Sequence, residues 1–378
     1  LREIHACRLS CLRDPHCIVD LVPRSCLTVD GALVILHDMS EHGATEEIGF
    51  LLLPEFPIYA LILAIEALRV ANQNAGRRLF APRLFSATGQ PVAAGSGAEL
   101  VPDSGIAEVR FCPTVLVVAG NQPTQHLSRS LLAWLRRLDR HGTLLGAIDT
   151  GAFALAAAGL LDGYRVTLHW EAVQLFHERH PEIEVAEQLF LSDRNRLTCA
   201  GGIATLDLML ELIRTKHGHD LAEVVRTGLV HERQRSGFEP QRTAIGGHMA
   251  SVDRRIAGIV ADMEAHLDQP LTPRQLAARA GISVRQLERL IQSRFSDTPG
   301  GYYLKLRLQA ARNHLFYGDM PIQEIAMATG FSSPSVLSRS FKGRFGLSPR
   351  EFRDQFARER LQRFRPEVRQ QLGLGDRS

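Results

Sequence analysis

The stretch Gly330-Phe-Ser-Ser-Pro-Ser-Val-Leu-Ser-Arg-Ser-Phe-Lys-Gly-Arg-Phe-Gly-Leu-Ser-Pro-Arg-Glu-Phe-Arg353 fixes the fold of the C-terminal third. Gly330 has no Cβ to oppose a left-handed turn, so a short helix before it can reverse there. Ser333 followed by Pro334 is a helix start, a capping hydroxyl with a preset first position. From there Leu337, Phe341 and Phe345 recur at helical spacing on one face. Ile325 and Ala326 supply the inward face of the helix before the turn. The whole reads as a helix-turn-helix.

The same scheme occurs earlier in the chain, with Gly281 lying 49 residues before Gly330, and with Phe295 and Pro299 matching Phe345 and Pro349. In that copy Thr272, Pro273 and Gln275 predict a capping box, Leu276, Ala277 and Ala280 face inward, and Ser283 with Gln286 predicts a second box. Leu287, Ile291 and Phe295 form the inner face of its second helix. Duplication of one unit accounts for this. The outward face of the two second helices carries Arg285, Arg289 and Gln292 in one copy and Ser335, Ser338, Arg339 and Lys342 in the other. These side chains suit base edges and phosphates. The helix predicted between the units, residues 300–317, is about 27 Å long, enough to hold two recognition helices near one DNA turn, about 34 Å, apart.

Charge agrees with a double-stranded DNA partner. Of 44 Lys and Arg and 41 Asp and Glu, residues 251–378 hold 21 and 13, and residues 1–250 hold 23 and 28. A basic module on an acidic body points to nucleic acid at one end and another task at the other. The composition, 45% apolar and 6% aromatic, is that of a soluble globular chain with two or more cores. No charge-free apolar run reaches membrane-spanning length, and the start does not read as a secretory signal, so the sequence predicts a cytoplasmic protein without a membrane partner. Four of six cysteines lie in the first 26 residues, which leaves no disulfide framework for the rest. Residues 1–46 show no sustained period and are expected to be a poorly ordered extension. Their Cys and His spacings lack the C-x-x-C pairs of structural zinc sites, and no metal or cofactor is expected.

From Ile48 short apolar runs alternate with helical patterns: residues 48–53, 58–72, 80–87, 114–119, 127–140, 144–148 and 152–161. This predicts an α/β fold, a parallel-sheet sandwich, spanning residues 47–235 and followed by the all-α tandem helix-turn-helix domain at 251–364. Helices at 202–217 and 220–234 close the first domain, residues 236–250 read as a linker, and 365–378 as a tail. A ligand crevice is expected at the carboxyl ends of the strands, after Val118, after Ile148 and near Thr198. The segment Leu145-Gly-Ala-Ile-Asp-Thr-Gly-Ala-Phe-Ala-Leu-Ala has the layout of a nucleophile elbow, a buried strand turning into a helix between small residues, with Asp149 at its tip.

Residues 252–364 resemble the DNA-binding domain of the AraC/XylS family of transcription regulators, with Leu337 where an aromatic is common. The elbow, Leu160-Leu-Asp-Gly163, the pair His169-Trp170 and the turn Thr198-Cys-Ala-Gly-Gly202 make residues 47–235 similar to the class I glutamine amidotransferase-like (PfpI-like) fold. Together they resemble the AraC-type regulators whose sensor domain is a catalytically silent relative of those enzymes. The resemblance implies an activator that works as a homodimer with RNA polymerase and responds to a small nitrogenous metabolite such as arginine, carnitine or glycine betaine.

A low-pKa Cys is the nucleophile in the enzymes, and Asp149 cannot supply a thiolate. Asp149 is therefore either a helix cap or a receptor for a cationic ligand group. Thr150 shares the capping or donates to a ligand carboxylate. His169 and Trp170, on a predicted loop before a helix at 171–180, form either a packed corner or a ligand wall, a Trp face attracting guanidinium or quaternary ammonium groups. Asn121 lies where the crevice should open. The alternatives are an amidohydrolase or deglycase-type enzyme localised to DNA, which would need Cys199 in a displaced catalytic role, and a constitutive architectural protein with an unresponsive crevice.

Overall fold

The computed structural model describes residues 26–29, 32–35, 44–241 and 254–363. Residues 1–45 and 46–378 form two compact units. The extension expected at 1–46, most of the linker and the tail lie largely outside the described residues. Within the first unit, Cys26–Val29 and Ala32–Ile35 pair antiparallel, where the sequence shows no period.

The second unit is built on a seven-stranded sheet. Its strands are β1 Glu46–Leu52, β2 Phe80–Ser86, β3 Ser104–Gly105, β4 Thr114–Ala119, β5 Leu144–Asp149, β6 Phe190–Asp193 and β7 Arg196–Cys199, in the order β6-β7-β5-β4-β1-β2-β3. Every neighbouring pair is parallel except β6 with β7, so the expected parallel sheet carries one antiparallel edge. All six residues of β4 are buried, which is why it reads as an unbroken apolar run rather than an alternation.

Helices cover both faces. On one side α1 Ile58–Ala75 joins α5 Ala204–His217 and α6 His219–Gly228, packing with Leu116, Val118 and Ile148 of the sheet. On the other side lie α2 Arg129–Arg140, α3 Ala152–Ala157 and α4 Val173–Arg179, with Val115, Val117, Leu145 and Ala147. The split follows the strand period of two. The helix read at 220–234 stops at Gly228 because Val230 turns the chain with φ 54°. From there His231 and Arg235 reach back to the buried Asp207 of α5. Residues 236–241, read as linker, stay on this domain: Gly237 O and Glu239 O both accept from Leu189 N.

The C-terminal part is helical. Its elements are α7 Arg254–Ala265, α8 Pro273–Arg279, α9 Val284–Phe295, α10 Pro299–Tyr317, α11 Ile322–Ala328, α12 Pro334–Phe345 and α13 Pro349–Arg363. Both predicted capping boxes form, at Thr272 with Gln275 and at Ser283 with Gln286. Both turn glycines are left-handed, Gly281 at φ 64° and Gly330 at φ 69°. A Cβ on Gly330 would also stand 2.4 Å from Leu267 O, so this turn excludes side chains on two counts. Each unit has its own small core, Leu276, Ala277, Leu287 and Ile291 in the first and Ile325, Ala326, Leu337 and Phe341 in the second. Helix α10 lends Tyr302 and Tyr303 to the first core and Leu308, Ala311 and Leu315 to the second.

Candidate functional site

The elbow forms as the sequence layout predicts. Asp149, last residue of β5, takes φ 62°, a left-handed conformation uncommon for a side-chain-bearing residue and characteristic of sites under constraint. Gly151 makes the turn possible, since a Cβ there would lie 2.1 Å from Val117 O. The Asp149 side chain packs against Gly201 in the turn after β7. The N-cap position of α3 is Gly151, two residues past Asp149, and the Thr150 backbone N–H bonds the Asp149 carboxyl. Thr150 is fully buried and donates from Oγ1 to Gly120 O at 2.7 Å. That bond ties the elbow to the end of β4, and it corrects the reading of Thr150 as cap or ligand donor.

Asp149 is 7% exposed, and among the described residues no basic side chain bonds it. Burial, with the nearby charge of Glu171, pushes its carboxyl up to about 8. His169 N donates to Asp149 O at 3.3 Å, which brings the His169-Trp170 corner beside the elbow. The two rings lie 5.9 Å apart. Burial holds His169 below the ordinary imidazole range, opposed by Glu171. Its Nδ1 is buried without a hydrogen-bond partner among the described residues. Trp170 opens a short 3-10 turn, Trp170–Ala172, instead of sitting in a loop. Its backbone N–H donates to Gln241 Oε1 at 2.9 Å, and Gln241 Nε2 in turn donates to Leu168 O at 2.8 Å. The chain leaving the domain thus clamps the corner.

Asn121 stands at the end of β4 as expected, and its Nδ2 donates to Glu55 Oε2 at 3.4 Å. Glu55 was not singled out by sequence. It is 2% exposed, follows β1 and has φ 64°. Its place at a strand's carboxyl end was the signal. Tyr59, at the start of α1, feels the Asp149 charge, and so does Tyr317 at the end of α10. The crevice therefore gathers Asp149, Glu171, His169, Trp170 and two tyrosines, with Asn121 and Glu55 at the neighbouring strand ends.

Both cysteines of this domain are fully buried. Burial pushes the Cys199 thiol up to about 12, and raises Cys112 as well. Neither offers a thiolate near neutral pH. Next to the crevice a cavity of about 560 Å³ opens between the α/β domain and the helices. Trp170 and Glu171 border it, and Glu178, Glu187, Glu264 and Asp268 also line it, with no Lys or Arg among the lining residues. Its chemistry favours the approach of a cation.

On the helical part, Arg285, Arg289, Gln292, Ser335, Arg339 and Lys342 are exposed on α9 and α12, and Ser338 is half-buried. The two helices hold their inward faces in separate cores, so these residues form the outward faces that the repeat predicts. Among the described residues no group of His, Cys, Asp and Glu is placed to hold a metal ion, and no helix is long and apolar enough to cross a membrane.

Residues 47–215 match the DJ-1/PfpI family, and residues 276–355 match a helix-turn-helix domain. The chain is similar to the HTH-type transcriptional regulator CdhR of Pseudomonas aeruginosa, 41% identical over 82% of this chain and 92% of that protein. It is 38% identical to the regulator GbdR of the same organism, over 82% of this chain and 84% of that one. With the regulator GlxA of Rhizobium meliloti it shares 36% identity over 83% of this chain and 97% of that one.

Proposed function

The chain belongs to the HTH-type transcriptional regulators that join a DJ-1/PfpI domain to an AraC-type DNA-binding domain, and we propose from that premise that its α/β domain is a receptor for a small cationic nitrogenous metabolite. The observation that carries this reading is the buried Asp149, facing Glu171 and aromatic rings with no basic partner among the described residues of its own domain. A guanidinium or quaternary ammonium group supplies the missing counter-charge, and the Trp170 face adds a cation–π contact. Arginine, carnitine and glycine betaine carry such groups. An enzymatic role is disfavoured, because a carboxylate occupies the elbow and both thiols are buried and raised. We propose further that the regulator acts as a homodimer that activates transcription with RNA polymerase, in the cytoplasm.

Isothermal titration of the full chain with L-arginine, carnitine and glycine betaine tests the reading. At least one is expected to bind, and Asp149→Ala is expected to weaken that ligand by about 10- to 100-fold, as for loss of a charge-assisted contact of about 1.5–3 kcal/mol. Binding that survives the substitution unchanged would place the receptor site elsewhere.

For DNA, we propose Arg285, Arg289 and Gln292 of α9 and Ser335, Ser338, Arg339 and Lys342 of α12 as the reading faces. Arg285→Ala and Arg339→Ala are each expected to cost about 1–3 kcal/mol at one base position of a duplex selected by the full chain from a random pool. A loss of the same size for every sequence would instead assign the residue to phosphate.

A further inference from the structure

We infer that the end of α10, from Arg312 to Tyr317, is a tethered occupant of the acidic crevice, and that this arm and a cationic effector exclude one another. The inference rests on the reading of the crevice as a cation site. Tyr317 belongs to the DNA-binding part by sequence, yet it is 7% exposed and packs in the core on the α2–α4 side of the sheet. Its hydroxyl donates to Glu171 Oε2 at 2.7 Å, and its ring lies 6.4 Å from that of His169. Arg312 Nη1 stands 3.4 Å from the other oxygen, Glu171 Oε1. Both oxygens of Glu171 are thus engaged by the arm, and the guanidinium already there repels a second cation.

Further contacts hold the arm down. Gln122 Nε2 donates to Phe316 O at 2.9 Å, and Arg179 Nη2 bonds Asp319 Oδ1 at 3.0 Å. Helix α10 is also the spine shared by both helix-turn-helix cores. Whatever fixes its end against the sensor therefore fixes both recognition helices at once. A cation bound between Asp149 and Glu171 takes the acceptor from Tyr317 and opposes Arg312, so the arm leaves and α10 is released. The docked arrangement is the effector-free state, and effector binding is the event that frees the DNA-binding part. Linkage makes the relation reciprocal: weakening the arm must tighten effector binding by the factor that the effector loosens the arm.

The test compares the full-length wild type with Tyr317→Phe, which keeps the ring, and with Tyr317→Phe/Arg312→Gln. One readout needs no effector. Amide exchange at residues 170–179 and 312–317 is expected to accelerate about tenfold in the double variant, with the cores of both domains unchanged. The second titrates L-arginine, carnitine and glycine betaine, and the bound probe is expected to bind the variants about 5- to 50-fold more tightly. Unchanged exchange would overturn the arm. Probe binding that is equal or weaker in the variants would overturn exclusion while the cation reading stands, since Tyr317 would then be a wall of the site. No binding of any probe by wild type and variants alike would refute the cation reading, and exclusion with it.

Discussion

Asp149→Asn is expected to raise the stability of the α/β domain, and the gain is expected to grow with pH. The wild-type carboxyl is buried, faces Glu171, and stays protonated up to about 8, against an ordinary value near 3.8. Its folded-state value is raised, so the sign follows directly. The folded protein holds more protons than the unfolded chain between those limits, and the stability fully present below about pH 4 is lost as pH rises through about 8. Asn never ionises, has nearly the same volume, and tolerates the left-handed backbone at φ 62° better than most residues. Each pH unit within the window contributes up to about 1.4 kcal/mol, so the variant should lead by about 3–5 kcal/mol at pH 8. For a domain of this size that is about 6–20 °C in melting temperature. At pH 4 the two should melt together. Parallel melting curves at every pH would mean that Asp149 is ionised and satisfied in the fold.

The same group gives effector binding a pH dependence. A cation binds the ionised carboxylate, so at neutral pH it must first drive a proton off Asp149. Affinity should rise close to tenfold per unit from pH 6 to 8, then level, with one proton released per ligand. Tyr59, Tyr317, Glu171 and Cys199 all share electrostatic contact with this carboxyl. Of these, the two tyrosines and the thiol titrate above the window, because burial raises each of them. The Asn variant gains stability and loses this ligand contact, the trade expected at a site that holds an unpaired charge for function.

How much of this was legible depended on whether a feature is local. The caps at Thr272 and Ser283 and the turns at Gly281 and Gly330 need only neighbours within four residues, and the sequence predicts all of them. The elbow is local too, and so is Asp149 at its tip. Thr150 was misread because its partner, Gly120 O, lies 30 residues away, just past the end of β4. The role of Tyr317 was invisible for the same reason on a larger scale: Glu171 is 146 residues away, and as sequence Tyr317 merely ends the connecting helix. Glu55 could be flagged only by its place after β1, and the sheet order is what sets it beside Asn121.

Asp207 is the clearest such case, and its replacement should be the most damaging single change. It lies in Thr-Leu-Asp-Leu-Met-Leu, a run that offers no visible partner, and it is fully buried in α5. Four donors converge on it: Arg235 N at 2.7 Å, Arg235 Nε at 2.9 Å, Arg235 Nη2 at 2.7 Å and His231 Nε2 at 3.1 Å. Asp207 is fully buried while Arg235 keeps 30% of its side chain exposed and can rehydrate, so Asp207→Ala is expected to cost about 2–4 kcal/mol in denaturant unfolding, less than for a pair buried on both sides. Asp207→Leu combined with Arg235→Leu should cost less than either alone, because no orphaned charge remains. A loss under about 1 kcal/mol for Asp207→Ala would show that water reaches the pair. The tether also bears on function. Arg235 fixes the chain six residues before Gln241, whose side chain accepts from Trp170 N and donates to Leu168 O. A variant that stays folded with Arg235 detached should therefore loosen the His169-Trp170 corner, weakening the bound probe without any change to a residue of the crevice.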